Sequence, residues 1–267
     1  MYSKFAKLKN YIKSLESAVV AYSGGVDSTF LLKVSSMILG KSCLAVTAKS
    51  PVFPDNELNE TVKFCKNKNI RQIILEFNPL DVDGFSENPK DRCYVCKSAF
   101  LKDIIEIAQK NNIKNVMEGS NFDDLSDYRP GFKAVRELKI LSPLSDFGFT
   151  KDEIRKLSKE LGLETYSKPS LACLATRIPQ GDKITKEKLK MIEHAEKLLF
   201  DLGFYQVRVR LHNDVARIEI LPQEFGKIIE EDIRNRIISE FKKIGFNRVS
   251  LDLAGYRTGS MNEIINN

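Results

Sequence analysis

Apolar residues recur in two alternating rhythms along most of this chain. Short apolar runs at 18–22, 43–47, 71–77 and 115–118 have the length and side-chain type of buried strands. Between them, 28–39, 55–67 and 98–111 read as helices, the first stopping at Gly40. Ahead of the first strand, Phe5, Leu8, Ile12 and Leu15 recur at helical spacing and predict an amphipathic opening helix. Pro51–Pro54 and the stretch 80–97, with its Gly, Pro, Asn and Asp, read as loops. A helix at 151–161, ended by Gly162, closes this part. Strands alternating with helices predict an α/β domain, a parallel sheet with helices on both faces.

The C-terminal part has a different rhythm. A helix at 185–202, strands at 207–212 and 216–221 joined by Asn213-Asp214, a helix at 223–243 and a strand at 248–253 predict a smaller α+β domain. Segments 198–211 and 239–253 echo each other weakly, each a helix end, a glycine, an aromatic residue and a strand. The stretch 166–184, with Pro169, Pro179 and Gly181, reads as the boundary, giving domains at 1–168 and 169–267.

Composition narrows the class. The chain has 267 residues, 42% hydrophobic and 29% charged, as expected of a globular protein able to bury a core. No apolar run reaches the roughly 18 residues of a membrane span. The N-terminus has no apolar signal core, which predicts a cytoplasmic location and no membrane partner. A net charge of +6 fits an anionic small substrate, tRNA, or a solvated basic surface. The basic residues are spread out and no RNA-binding module is recognisable, which argues against a nucleic-acid partner.

Ser23-Gly24-Gly25-Val26-Asp27-Ser28 follows a buried strand and opens a helix. Glycines let the backbone approach a polyanion, and amides at a helix start favour its charge. Ser23 and Ser28 add hydroxyls, and Asp27 would hold Mg²⁺ or order the loop. The Walker pattern is absent, so an ordinary P-loop is excluded. A glycine-containing turn with a Ser or Asp cap is the bland alternative. The segment resembles the pyrophosphate loop of the PP-loop (adenine nucleotide alpha hydrolase-like) ATPases. That superfamily includes GMP, NAD and asparagine synthetases and tRNA-thiolating enzymes, and cleaves ATP to AMP and pyrophosphate through an adenylated substrate oxygen.

The five cysteines are an odd number in a chain without a signal core, which argues against a disulfide framework. Cys43 and Cys65 lie in strand-like and helix-like stretches and read as packed thiols. Cys93 and Cys96, three positions apart, and Cys173 all read as loop residues. Three thiolates suit a [4Fe–4S] cluster with one iron left open. A zinc site, which needs a fourth ligand, and unligated thiols remain alternatives. Arg208 and Arg210, two apart on a strand, share a face and suit a phosphate or carboxylate, with Arg177 near Cys173 as a possible third member. An exposed basic sheet face would look the same.

Nearly the whole chain resembles the LarE family of ATP-dependent sulfur transferases. The matching segments are Ser23 to Ser28, Asp127-Tyr128-Arg129-Pro130-Gly131, Cys173, and Arg208, Arg210, His212-Asn213-Asp214 and Arg217. Leu251-Asp252-Leu253 with Gly255, Arg257 and Gly259 complete the match. The resemblance implies ATP and Mg²⁺ as cofactors and Ser23, Gly24, Gly25, Asp27, Ser28 and Arg129 at the nucleotide. It implies Arg177, Arg208 and Arg210 at a pyridinium dicarboxylate mononucleotide, whose carboxylates become thiocarboxylates of the nickel-pincer nucleotide of lactate racemase. It also implies a homo-oligomer, a hexamer being one form. Of the family's two variants, one sacrifices the sulfur of a lone cysteine and the other carries an iron–sulfur cluster on three. Cys93, Cys96 and Cys173 align this chain with the second, although Cys173 alone would serve the first. A tRNA-thiolating enzyme is the competing expectation, and the sulfide source is open.

Overall fold

The computed structural model describes residues 1–126, 130–169 and 172–257. The chain forms two compact units, Met1–Val82 with Lys90–Leu171 and Asp83–Pro89 with Ala172–Asn267.

The first unit runs α1 (Tyr2–Ser14), β1 (Ala18–Ala21), α2 (Val26–Leu39), β2 (Cys43–Lys49), α3 (Asp55–Asn67) and β3 (Arg71–Glu76). It continues with α4 (Arg92–Lys110), β4 (Val116–Met117), α5 (Gly131–Glu137), α6 (Pro143–Asp146) and α7 (Lys151–Glu160). Its strands are all parallel in the order β3-β2-β1-β4, with Val19 opposite both Leu44 and Val116. Successive side chains of a strand point to opposite faces, and β1 shows the result. Val20 joins Leu8, Phe30, Leu31, Phe149 and Leu157 in one core. Val19 joins Leu44, Leu101, Ile104 and Val135 in the other. Helices α1, α2 and α7 therefore cover one face and α4 and α5 the other, which is why β1 is apolar throughout.

Two elements depart from the apolar pattern. Helix α4 begins at Arg92, so Cys93 and Cys96 lie on its first turn and not in the expected loop. This turn makes a tertiary contact that periodicity does not record. A Cβ on Gly131, at the start of α5, would lie 3.1 Å from Lys97 Cδ and 3.6 Å from the Cys93 carbonyl oxygen, so that turn is pressed against α5. The helix expected at 223–243 is interrupted at Glu230, whose extended backbone (ψ 137°) separates two shorter helices.

The second unit contains α8 (Lys186–Asp201), β5 (Val207–His212), β6 (Val215–Ile220), α9 (Phe225–Ile229), α10 (Glu231–Ile244) and β7 (Arg248–Leu251). Strands β5 and β6 form an antiparallel hairpin, and β7 lies parallel to β6. Asn213 turns the hairpin with φ +54°, a value asparagine tolerates better than most residues. The segment 83–89 belongs to this unit through buried Asn88, whose Nδ2 donates to the carbonyls of Pro179 (2.6 Å) and Asp182 (3.1 Å). Among the described residues, no helix is long and apolar enough to cross a membrane.

Candidate active site

The first unit builds its site where the sheet order reverses. The chain leaves β1 toward β2 and β3 on one side and returns to β4 on the other, and such a switch point opens a crevice at the strands' carboxyl ends. The Ser23–Ser28 loop follows β1, and Glu118-Gly119-Ser120 follows β4. The two meet closely. A Cβ on Gly119 would stand 2.9 Å from Ser28 N and 3.0 Å from its Cα, so only glycine fits there. Gly24 has φ +77° and also needs glycine. The serines brace the loop internally. Ser23 and Ser28 hydroxyls lie 3.0 Å apart, the Ser23 amide donates to Ser28 Oγ (3.3 Å), and that hydroxyl donates to the Gly25 carbonyl (3.2 Å).

Asp27, in the first turn of α2, forms an ion pair with Lys151, the first residue of α7. Lys151 is placed by a capping box in which Thr150 Oγ1 accepts from the Glu153 amide and Glu153 accepts from the Thr150 amide. Burial pushes the Asp27 carboxyl above its ordinary range, with Lys151 opposing the shift. Its Oδ1 is buried and makes no hydrogen bond of normal geometry. A half-buried carboxylate with a spare oxygen beside a phosphate-type loop suits a divalent cation.

Glu118 ties this loop to the cysteine-bearing turn. Its carboxylate accepts from Lys97 Nζ (3.0 Å), Ser120 Oγ (2.7 Å) and Ser142 Oγ (2.6 Å). Burial alone would raise its pKa, but Lys97 and the two hydroxyls outweigh that and hold it below the usual carboxylate range. Lys97 directly follows Cys96. Cys93 is exposed and Cys96 half-buried, neighbours on one helical face. By contrast, burial pushes the Cys43 and Cys65 thiols up to about 12, as befits packed side chains.

In the second unit, Cys173 is half-buried and caps the short helical turn Leu174–Arg177. Arg177 is 1% exposed and organises that turn. It donates to the carbonyls of Ala172 (2.7 Å) and Cys173 (3.0 Å) and grips Glu196 of α8 with a bidentate pair at 2.8 and 2.9 Å. Arg210 likewise forks onto Glu219 of β6 (Nη2 at 3.0 Å) and reaches the Thr176 carbonyl (3.0 Å). Arg208 and Arg210 share a strand face, as their spacing requires, and both are buried. The Arg208 guanidinium donates to the Val207 carbonyl (2.7 Å) and lies 5.2 Å from the Tyr256 ring centre. Burial and the nearby Arg177 charge lower its pKa to about 10, although Glu196 and Tyr256 oppose this. An anion beside Arg208 would relieve that positive crowding. Burial with Arg217 and Arg210 lowers the His212 pKa, favouring a neutral ring.

The sequence did not single out Lys97, Glu118, Lys151, Glu196 or Glu219. Arg129, expected at the nucleotide, and Tyr128 and Gly259 of the matching segments lie outside the described residues. Cys93 and Cys96 belong to one unit and Cys173 to the other. Among the described residues, no three His, Cys, Asp or Glu side chains stand together as a ready-made metal site.

A parallel sheet whose central strand ends in a serine–glycine loop, with a helix start and an aspartate behind it, defines an enzyme of the PP-loop ATP pyrophosphatase class. No family model matches the chain. Relatives do. The chain is 37% identical over 263 residues to an uncharacterised protein of Synechocystis, covering 98% of each. It is 35% identical over 266 residues to pyridinium-3,5-bisthiocarboxylic acid mononucleotide synthase of Lactiplantibacillus plantarum, covering 98% of this chain and 95% of that protein. A more distant likeness, 27% over 201 residues, runs to a glutamine-hydrolysing GMP synthase polypeptide of Thermoplasma volcanium, covering 69% of this chain and 63% of that polypeptide. The chain belongs to the LarE family, that of the pyridinium-3,5-bisthiocarboxylic acid mononucleotide synthase.

Proposed function

We propose that this protein is an ATP-dependent sulfurtransferase that converts a carboxylate of pyridinium dicarboxylate mononucleotide into a thiocarboxylate. The observation that carries the reading lies within the first unit. Lys97, next to Cys96, is bonded to Glu118, and the adjoining Gly119 abuts Ser28 of the nucleotide loop. A thiol-bearing turn and a phosphate loop are thus coupled by two residues.

The amides of Gly24 and Gly25, with the Ser23 and Ser28 hydroxyls, bind the pyrophosphate portion of ATP, and Arg129 adds a cation. Asp27 would hold Mg²⁺, which would neutralise phosphate charge when bound. Lys151, paired with Asp27 in this structure, can give up that carboxylate for a phosphate oxygen. A substrate carboxylate oxygen attacks the α-phosphorus, the bond to the bridging oxygen breaks, and pyrophosphate leaves with that electron pair. The resulting acyl adenylate has AMP as a leaving group, far better than oxide. A sulfur nucleophile then attacks the acyl carbon and AMP departs with the former carboxylate oxygen. Arg208 binds a substrate anion, while Arg177 and Arg210 hold the turn carrying Cys173 through Glu196 and Glu219.

The donor set fits an iron–sulfur group in chemistry: an exposed and a half-buried thiol on one end of α4 and a third, half-buried thiol on a turn fixed by Arg177. Cys93, Cys96 and Cys173 would hold a [4Fe–4S] cluster, which when bound supplies an iron position that keeps sulfide deprotonated. A second reading has its own support, since Cys173 is the only cysteine of its unit and its backbone is held by Arg177 and Thr176. In it the Cys173 thiolate attacks the adenylate, and β-elimination leaves dehydroalanine after one turnover.

The test measures products from ATP and the dicarboxylate nucleotide. AMP and pyrophosphate are expected, abolished in Asp27→Ala with the fold intact; ADP, or stimulation by tRNA in place of the small nucleotide, would overturn the reading. Iron and sulfide analysis of protein purified without oxygen, with each of the three cysteines replaced by Ala, tests the cluster. Loss of the elements of hydrogen sulfide at position 173, with Cys93→Ala still active, would select the sacrificial route.

A further inference from the structure

A second lysine, besides Lys151, reaches the nucleotide loop, and neither the metal nor the sulfur chemistry employs it. Lys168 is a largely buried side chain in the last stretch of the first unit. Its ammonium lies 2.6 Å from Glu57 Oε2, 2.7 Å from Glu60 Oε2 and 3.4 Å from the Gly24 carbonyl oxygen. Its backbone is anchored independently: Arg155 of α7 donates to the carbonyls of Tyr166 and Lys168, the latter at 2.8 Å. Helix α3 completes the bracket. Glu57, Glu60 and Thr61 share one helical face, and a Cβ on Gly24 would meet Thr61 Cγ2 at 2.9 Å.

The Gly24–Gly25 peptide is trans and planar, so its C=O and N–H point in opposite directions. A cation on the Gly24 carbonyl therefore turns the Gly25 amide away from itself, toward the side where Ser23 Oγ lies 3.5 Å from Gly25 N. That amide stands at the N-cap of α2, where the helix start favours negative charge. We propose that Lys168 is a positioning residue for ATP, acting through the Gly24 carbonyl to aim the Gly25 N–H at the pyrophosphate. Glu57 and Glu60 hold the ammonium over the carbonyl and keep it from collapsing onto the phosphates. Their charges keep Lys168 protonated against burial, and Lys168 in turn opposes the upward push of burial on Glu57.

This inference rests on ATP being the ligand of the Ser23–Ser28 loop. The test is ATP affinity of the full chain by calorimetry, with amide hydrogen exchange at Gly25 and thermal stability alongside. Lys168→Met should weaken ATP by about tenfold and speed exchange at Gly25. It leaves two carboxylates beside the loop, so a triple variant, Lys168→Met with Glu57→Gln and Glu60→Gln, removes every charge of the bracket. If Lys168 aims the peptide, the triple variant stays about as weak as the single one. Recovery of wild-type affinity in the triple variant would reduce Lys168 to a neutralising counter-ion and overturn the proposal, as would unchanged affinity in Lys168→Met. Glu57→Gln with Glu60→Gln alone keeps the cation and leaves an amide oxygen at each position to hold it, so it should bind ATP within about threefold of wild type; a loss as large as that of Lys168→Met would also overturn it. A wild-type protein that binds no ATP would instead reject the reading of the loop itself.

Discussion

The two units handle charge in opposite ways. The first displays it: Lys97 and Lys151, with side chains 30% and 31% exposed, pair with Glu118 and Asp27 beside a loop made of glycine and serine. The second encloses it: Arg177 and Arg210 are 1% and 5% exposed and bound through both ends of their forks to Glu196 and Glu219, themselves 5% and 2% exposed. Arginine suits enclosure because its planar fork matches a carboxylate, whereas a lysine ammonium is a point charge that changes partners easily. On the proposed function, the arginines of this segment divide into structural members and one, Arg208, that would face a substrate anion, a distinction that their spacing does not reveal.

The largest effect should come from breaking an enclosed pair. Glu196→Ala leaves Arg177 buried without its carboxylate and removes the acceptor of the Val209 amide (2.9 Å). Losing one partner of a buried pair typically costs about 3–5 kcal/mol. Urea unfolding should show that loss, and the double variant Arg177→Met/Glu196→Leu should recover much of it, because the charge goes with its partner. An equally unstable double variant would mean that the hydrogen bonds to the Ala172 and Cys173 carbonyls, not the ion pair, hold the turn.

The anion-facing member should behave differently. Arg208→Ala is expected to cost on the order of 2 kcal/mol in substrate binding, roughly thirtyfold in affinity, with ATP binding unchanged. Arg210→Ala should chiefly lower stability, because Glu219 loses its bidentate partner. Titration of each variant with the dicarboxylate nucleotide, beside its unfolding curve, tests the division; a larger affinity loss in a stable Arg210→Ala would reverse it. A third comparison falls on the displayed site. Gly119→Ala places a Cβ against backbone atoms of Ser28 that cannot move cheaply, and overpacking of this kind costs about 1–3 kcal/mol. Reduced ATP affinity is the readout, and unchanged affinity would mean that β4 does not help shape the loop.

Local chemistry was legible in the sequence and distant partnership was not. The α/β class with its parallel sheet and smaller α+β part followed from apolar periodicity, and Ser23–Ser28 leads from β1 into the first turn of α2 as its composition suggested. Period two put Arg208 and Arg210 on one face. Glu118 could not be picked out, since it reaches the loop only because β4 pairs with β1 across almost a hundred residues. Thr150 and Glu153 did offer a local signal, a capping box that marks a helix start and would have drawn notice to Lys151. Glu219 had a weaker one, since it alternates with Arg217 on β6, but only the hairpin register brings it diagonally to Arg210. The start of α4, with Cys93 and Cys96, packs on Gly131 of α5, far along the chain, and no window around the cysteines contains that contact.

The smallest expected effect is one of slope, and it separates two carboxylates that flank the same loop. Glu118 has its folded pKa lowered by Lys97 and the Ser142 and Ser120 hydroxyls against the opposing, and largest, influence of burial. Below an unfolded glutamate pKa of about 4.3, the unfolded chain takes up the proton and the folded one does not. Stability therefore rises with pH in that window, is complete above about 4.3, and is lost as pH falls through the folded value. Asp27 is the reverse case. Burial raises its folded pKa, so between an unfolded value of about 3.9 and the folded one the native state holds more protons. Its contribution is present below about 3.9 and is lost as pH rises through the folded value. Urea unfolding across the acid range should accordingly change in opposite senses. Glu118→Gln should flatten the acid-side rise in stability, and Asp27→Asn should steepen it, because the opposing proton uptake is gone. Equal slopes in wild type and both variants would show that Lys97 and Lys151 set neither carboxylate's charge. The displayed pairs would then be no more exchangeable than the enclosed ones.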